Sequence, residues 1–266
     1  MRLATFLPPG SETPRAGEVR GEPGSERVYG FAQEELTVLD RLAEPEAAPV
    51  EGKSWLLDEV ALLAPVPTPR AIFGIGLNYA DHVAETGGEA PAQPLVFMKL
   101  PSSAAPPNAP VHCPAVVKRL DYEGELAVIM GPGRAVAGYA VADDVTARDL
   151  QGREPQWTRA KGADGFCPYG PWITTADEVP DPHTLALRTW VNGELRQDSN
   201  TSNLIFSVPE LIEFISETCT LHAGDVILTG TPSGVGIGQD PPVFLATDDV
   251  VRIEIERLGS IEHQVA

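Results

Sequence analysis

In the stretch "DYEGELAVIM", Glu123 and Glu125 fall at i and i+2 of a strand-like run, so both carboxylates project from one face. Two like charges at that separation repel, and a cation or a shared proton between them relieves the repulsion. Gly124, Leu126, Val128 and Met130 form the opposite, apolar face. The same pattern also suits a solvent-facing strand with two exposed acids. Further along, "YAVADDVTARD" puts Asp143 and Asp144 where a strand gives way to a helix. Either can cap the first free N–H groups of that helix. One of them can instead complete a three-carboxylate set with Glu123 and Glu125. All-oxygen ligation of this kind suits a hard divalent cation, magnesium first, with manganese or calcium as alternatives.

Several other residues have chemistry within reach. Arg148 and Gln151 are three apart on the expected helix and share a face. Lys161, in "QWTRAKGADGFCPYGPW", is either a surface lysine or a positive charge placed to neutralise an oxyanion. His82 and Glu85 stand at i and i+3 in "YADHVAE" and touch if that run is helical. Such a pair orients an imidazole for general-base work, or is simply a surface ion pair. The remaining histidines, His112, His183, His222 and His263, lack partners at metal-ligand spacing and read as structural or exposed.

Two glycine-rich stretches suggest phosphate cradles. "LTGTPSGVGIG" offers backbone N–H groups and Thr231 as an anion nest, but no GKS or GKT follows. "GIGLNY" carries only two of the three glycines of a dinucleotide fingerprint, and no regular βαβ unit follows it. An NAD-dependent oxidoreductase is therefore the remote alternative from another class. A non-catalytic binding protein would keep the carboxylates and lose the His–Glu pair.

The elements that position these residues are mostly short strands. "RLATF", "RVYGF" and "ELTVL" read as strands of a small N-terminal unit over residues 1–65. Pro65, Pro67 and Pro69 then favour an extended linker into a larger unit over 66–266. "LVFMKL", "YEGELAVIM", "GYAVADD", "DVILTG" and "DVVRIEIERLG" read as strands, and "LALRTWVNGELRQ" as a hairpin turning at Asn192-Gly193. Helices are expected in "VTARDLQ" and in "SVPELIEFISET", where Ser207, Pro209 and Glu210 form a start signal. Strands without regular crossover helices indicate an α+β fold with mixed sheets.

Composition narrows the function classes. A formal net charge of -19 over 266 residues argues strongly against a nucleic-acid binder, which needs clustered Lys and Arg. An anionic ligand would need a locally positive site, most simply a metal ion with a few placed cations. No apolar run is long enough for a membrane span or a secretory leader, so a cytoplasmic protein is expected. Cys113, Cys167 and Cys219 have no CxxC pairing and read as incidental thiols.

Taken in order, "IGLNYADHVAE", "LDYEGELAVIMG", "GYAVADDVTARDLQ", "QWTRAKGADGFCPYGPWI", "NTSNLIFSVPELIEFIS" and "GDVILTGTPSGVG" closely resemble the fumarylacetoacetate hydrolase family from about Leu63 to the C-terminus. The resemblance implies a mixed β-roll with a small N-terminal domain, a homodimer, and a magnesium-dependent enzyme acting on small anionic 2-oxo acids or their enols through an enolate. It implies Glu123, Glu125 and Asp144 as metal ligands and His82 with Glu85 as the catalytic dyad. Lys161, Arg148, Gln151 and Thr231 then correspond to the substrate-holding set. The "TARDLQ" and "GPWI" variants favour a 2-hydroxyhepta-2,4-diene-1,7-dioate isomerase or 5-oxopent-3-ene-1,2,5-tricarboxylate decarboxylase of aromatic catabolism. An acylpyruvate hydrolase or an oxaloacetate decarboxylase is the alternative. Family members carry a short segment between the counterparts of "IMGPGR" and "VAGYAV" that is missing here, which implies a trimmed surface excursion. "AETGGEAPAQP" is expected to act as a mobile lid.

Overall fold

The computed structural model describes residues 1–44, 50 and 52–266. Its centre is strand β10 (Gly124–Met130), buried along its whole length. Alternation along this strand serves two cores. Leu126, Val128 and Met130 join a cluster with Phe73, Ile75, Val141, Leu187, Leu211 and Ile253. On the acid-bearing side, Ala127 and Ile129 pack with Leu3, Ile72, Ala142, Ile173 and Leu228. The face that begins with Glu125 therefore never reaches solvent, and the exposed-acid reading is overturned: both faces of β10 are covered.

In chain order the strands are β1 (Arg2–Leu7), β2 (Arg15–Arg20), β3 (Arg27–Gly30), β4 (Ser54–Leu56), β5 (Ala61–Leu62), β6 (Ile72–Gly76), β7 (Leu95–Lys99), β8 (Ala104–Ala105) and β9 (Leu120–Asp121). After β10 come β11 (Val136–Asp143), β12 (Thr146–Ala147), β13 (Cys167–Thr175), β14 (Ala186–Val191), β15 (Glu194–Asn200), β16 (Val226–Leu228), β17 (Val250–Ile255) and β18 (Gly259–Gln264). The large sheet runs β4-β3-β2-β1-β13-β11-β10-β16-β6-β7, with β5 beside β1 and β8 beside β13. It is mixed, because β16 pairs with β6 in parallel while its other neighbour, β10, is antiparallel. A second sheet, β15-β14-β17-β18, lies over the Leu126 side of β10 together with helix α5 (Val208–Ser216). Ser207 and Glu210 close the expected capping box at the start of α5. The result is the α+β mixed-sheet roll expected from the sequence.

The first strand does not stay within the N-terminal segment. Arg2 and Leu3 of β1 pair with Thr174 and Ile173 of β13, so the large sheet crosses the boundary placed at residue 65. Within that segment "ELTVL" was expected to be a strand, and this is corrected. Thr37 instead opens helix α1 (Val38–Ala43). Its Oγ1 accepts the Asp40 N–H, while the Asp40 carboxylate accepts the Thr37 N–H, a reciprocal cap that outweighs the strand propensity of Thr and Val.

The helix expected over "VTARDLQ" is also shorter than anticipated. Thr146–Ala147 form the strand β12, paired with β9, and only Arg148–Gln151 turn as helix α3. Between β10 and β11 the chain turns over Pro132–Arg134, with Gly133 and Arg134 in the left-handed region. The connection expected to be a trimmed surface excursion is this turn. No helix among the described residues is long and apolar enough to cross a membrane.

Candidate metal and catalytic site

The open end of the β10–β11 hairpin gathers the carboxylates. Gly124 faces Asp143 in register, and the Asp144 N–H donates to the Glu123 carbonyl at 2.9 Å, which locks the two segments side by side. Glu123, Glu125 and Asp144 thereby offer oxygens that all lie within 4.8 Å of one another, and all three residues are buried. Asp143, the other candidate, is turned away. Its oxygens accept the Glu123 N–H at 2.8 Å and meet His263 Nε2 at 2.8 Å, so His263 is the structural histidine that the sequence suggested.

Two ammonium groups reach into this set. Lys161 Nζ donates to Glu123 Oε2 at 2.6 Å and to Asp144 Oδ2 at 2.7 Å. It stands at the end of helix α4 (Thr158–Lys161), a single turn too short to hold itself. Ala160 secures α4, and Leu150 secures α3, in a small core with Val111, Leu120, Val145 and Phe166. Lys99, at the end of β7 and fully buried, donates to Asp144 Oδ1 at 2.6 Å and to the Lys161 carbonyl. Sequence reasoning missed Lys99. The available signal was a lysine ending the otherwise apolar run "LVFMKL".

Charge is unevenly compensated. Burial alone would raise the Glu123 carboxyl, yet Lys161 and Arg148 together hold it down at about 2. Glu125 is pushed well above the usual carboxylate range by burial, then by Asp144 and Glu123. Its direct donor is the Gly230 N–H at 2.7 Å. Burial by itself would lower the Lys161 ammonium, but Asp144 and Glu123 outweigh it and raise it. A buried carboxylate without an ammonium of its own, beside two others, is the donor chemistry that a hard divalent cation satisfies. The residues present fit such an ion.

His82, Arg148 and Gln151 line one cavity of about 250 Å³ with Glu123 and Lys161. Leu77, at a positive φ, turns the chain sharply from β6 into helix α2 (Ala80–Thr86). One face of that helix brings His82 Nδ1 to 3.1 Å from Glu85 Oε2, and the other Glu85 oxygen accepts the Gly234 N–H at 2.8 Å. Arg148 reaches Asp121 and Glu123 at 2.8 and 2.7 Å, and its Nη1 donates to Gln151 Oε1 at 3.0 Å. A guanidinium has five N–H donors, so Arg148 keeps N–H capacity for a ligand carboxylate. Thr231 lines the cavity too, but its hydroxyl already donates to the Gly124 carbonyl and accepts from Gln197 Nε2. Gln197 is fully buried, and its Oε1 accepts the Gly124 N–H, so it braces the metal-ligand strand. Nothing local in "ELRQDSN" distinguishes it, and the sequence reading passed over it.

The anion nest anticipated in "LTGTPSGVGIG" exists, and the anions are the protein's own. Gly230 serves Glu125, and Gly234 serves Glu85. The expected lid begins on the last turn of α2, where Gly87 adopts the left-handed cap, and continues as mostly exposed coil to Gln93.

Comparison with known proteins identifies the family of the chain. The model of the fumarylacetoacetate hydrolase C-terminal domain matches residues 71–266. The mitochondrial oxaloacetate tautomerase fahd2 of Xenopus laevis is 44% identical over 289 aligned positions, covering 100% of this chain and 90% of that protein. Oxaloacetate tautomerase YisK of Bacillus subtilis is 44% identical, over 79% of this chain and 75% of its own length. Among solved structures, 2-hydroxyhepta-2,4-diene-1,7-dioate isomerase from Mycobacterium marinum superposes with a TM-score of 0.83 at 35% identity, covering 100% of this chain and 98% of that one. Matched over residues 71–266 by the C-terminal domain model and along its whole length by a relative 44% identical, the chain belongs to the fumarylacetoacetate hydrolase family.

Proposed function

We propose that this protein is a divalent-cation-dependent isomerase that moves a proton between the carbon and the oxygen of a small 2-oxo diacid, with oxaloacetate keto–enol tautomerisation as its reaction. The observation that carries the reading is the shared cavity lined by His82, Glu123, Arg148 and Lys161, with Glu85 against His82 and with Glu125 and Asp144 grouped with Glu123. Its volume, about 250 Å³, is below the ~300–1,000 Å³ of sites for drug-sized ligands and suits a short diacid. Full-length similarity to oxaloacetate tautomerases supports the same choice.

Glu123, Glu125 and Asp144 would hold the cation, magnesium in this reading. When bound, it would act as a Lewis acid on the oxygens of the substrate. Arg148, with Gln151 beside it, binds a carboxylate and fixes which carbon faces the dyad. Glu85 accepts the Nδ1–H of His82, which places the basic lone pair on Nε2. From there His82 takes the proton from the carbon next to the oxo group and returns it to the oxygen. Lys161 supplies positive charge where negative charge develops on that oxygen. Leu77, Phe97, Trp157 and Ile237 form the apolar wall that keeps bulk water from the exchanging proton.

A second reading, isomerisation of a longer 2-hydroxydienedioate, has its support in the likeness to the Mycobacterium marinum isomerase and uses the same proton shift. The deciding assay supplies enol oxaloacetate, a 2-hydroxydienedioate and an acylpyruvate, with magnesium and after chelation, and follows enol absorbance and carbon dioxide separately. Magnesium-dependent loss of the oxaloacetate enol without carbon dioxide is the expected result. Carbon dioxide released in step with the loss of substrate would make the protein a decarboxylase and sink the proposal.

A further inference from the structure

Asp121 is fully buried, two residues before the first metal-ligand candidate, and has no part in the chemistry above. Its carboxylate is saturated. Oδ1 accepts the N–H groups of Tyr122 at 3.0 Å and Gly236 at 2.8 Å, while Oδ2 accepts Ile237 N–H at 3.0 Å and Arg148 Nε–H at 2.8 Å. Four donors on one carboxylate match its acceptor capacity, and none of them is a ligand. The side chain thus joins two things that are far apart in sequence: the guanidinium of the substrate clamp and the glycine loop over 234–238.

That loop also holds the dyad. Gly234 donates its N–H to Glu85 Oε1 at 2.8 Å, and the Gly234 carbonyl is held by Tyr122 Oη at 2.8 Å. A Cβ on Gly236 would sit 2.6 Å from Asp121 Oδ1. One on Gly238 would lie 2.7 Å from both Glu85 carboxylate oxygens. The loop is therefore pressed between the two carboxylates with no room for a side chain toward either.

We propose that Asp121 is a positioning residue that sets Arg148 directly and Glu85 through the 234–238 loop, so that substrate orientation and the aim of the general base depend on one buried carboxylate. The inference rests on the proton-transfer reading of the site. A merely structural Asp121 would affect folding alone; a positioning one also affects how Arg148 and Glu85 work together.

The test compares Asp121→Asn, Gly238→Ala, Glu85→Gln and the double variant Asp121→Asn/Glu85→Gln in the full chain, with thermal melting as a folding control. Asp121→Asn should raise KM by about tenfold and lower kcat, and its effect on kcat should combine with Glu85→Gln to less than the product of the single effects. Gly238→Ala, which keeps Asp121 intact, should lower kcat while KM stays within about twofold, and it serves if Asp121→Asn does not fold. Multiplicative effects with an unchanged KM would overturn the proposal, as would a Gly238→Ala protein with unaltered kcat. Should the wild type turn over no tested 2-oxo acid, the functional reading fails. Calorimetric binding of oxalate with magnesium then still decides the Asp121–Arg148 arm, with about tenfold weaker binding in Asp121→Asn expected and equal affinity refuting it.

Discussion

Two glycine-bearing turns leave the sheet from the parallel neighbours β6 and β16, and they contribute different things. The turn after β6, over residues 76–79, delivers side chains: His82 and Glu85 emerge on the helix that follows it. The loop after β16, over 230–238, delivers backbone, giving N–H groups to Glu125, Glu85 and Asp121. Side-chain chemistry is written in residue types. Backbone chemistry shows only as glycines, whose partners are set by tertiary packing. The first turn supplies reactive groups, and the second holds carboxylates in place.

The sharpest way to break this division is at Glu125, the candidate ligand that the glycine loop holds. Glu125→Ala leaves the Gly230 N–H without its acceptor and takes away one of three candidate ligands. Divalent cation affinity should fall by more than about a hundredfold, read by calorimetry, with turnover lost alongside it. Next comes the side-chain turn. His82→Ala should lower kcat for the proton shift by about 10²- to 10⁴-fold while cation affinity, measured the same way, stays at the wild-type value. On the backbone side, Gly234→Ala places a Cβ against the Arg196 carbonyl at a φ of 100°. It should cost about 1–3 kcal/mol of stability by denaturant unfolding and weaken turnover through Glu85. The smallest effect separates local from global damage. Burial pushes the Cys167 thiol up to about 12, so it stays protonated at pH 8 and should resist alkylation that modifies the exposed Cys219. Labelling of Cys167 in a variant would mean that the sheet itself had opened.

How far the sequence could be read follows the same line. The carboxylate trio, the dyad, Lys161 and Arg148 were visible because charged residues at fixed spacing are rare in buried runs, and six ordered motifs reinforced one another. Lys99 and Gln197 were not, because each acts on a residue distant in sequence; the one local signal was a lysine ending the apolar run of "LVFMKL", and Gln197 had none. Asp121 lay in plain view beside "YEGEL" yet looked like one more acid. The α+β roll was legible from strand lengths and turn residues, while "ELTVL" was misread because its apolar alternation outweighed the Thr37–Asp40 cap in a strand-based reading. Similarly, "VTARDLQ" has good helix formers, but pairing of Thr146 and Ala147 with β9 takes its first residues into a sheet.

The pairing of β1 with β13 has a consequence for how the chain reaches this state. Arg2 cannot find its place until Thr174 has been made and β13 has settled against β11. The residues of β1 are thus among the last to be fixed, and closing so long a loop costs entropy before any contact compensates it. Folding should be slow and governed by late docking of the N-terminal strands, with the metal-ligand hairpin, β10 and β11, assembling earlier from neighbours close in sequence. A chain stalled at that stage would present a formed acidic pocket and an unfinished sheet edge, the condition in which a bound cation would do most to carry it forward.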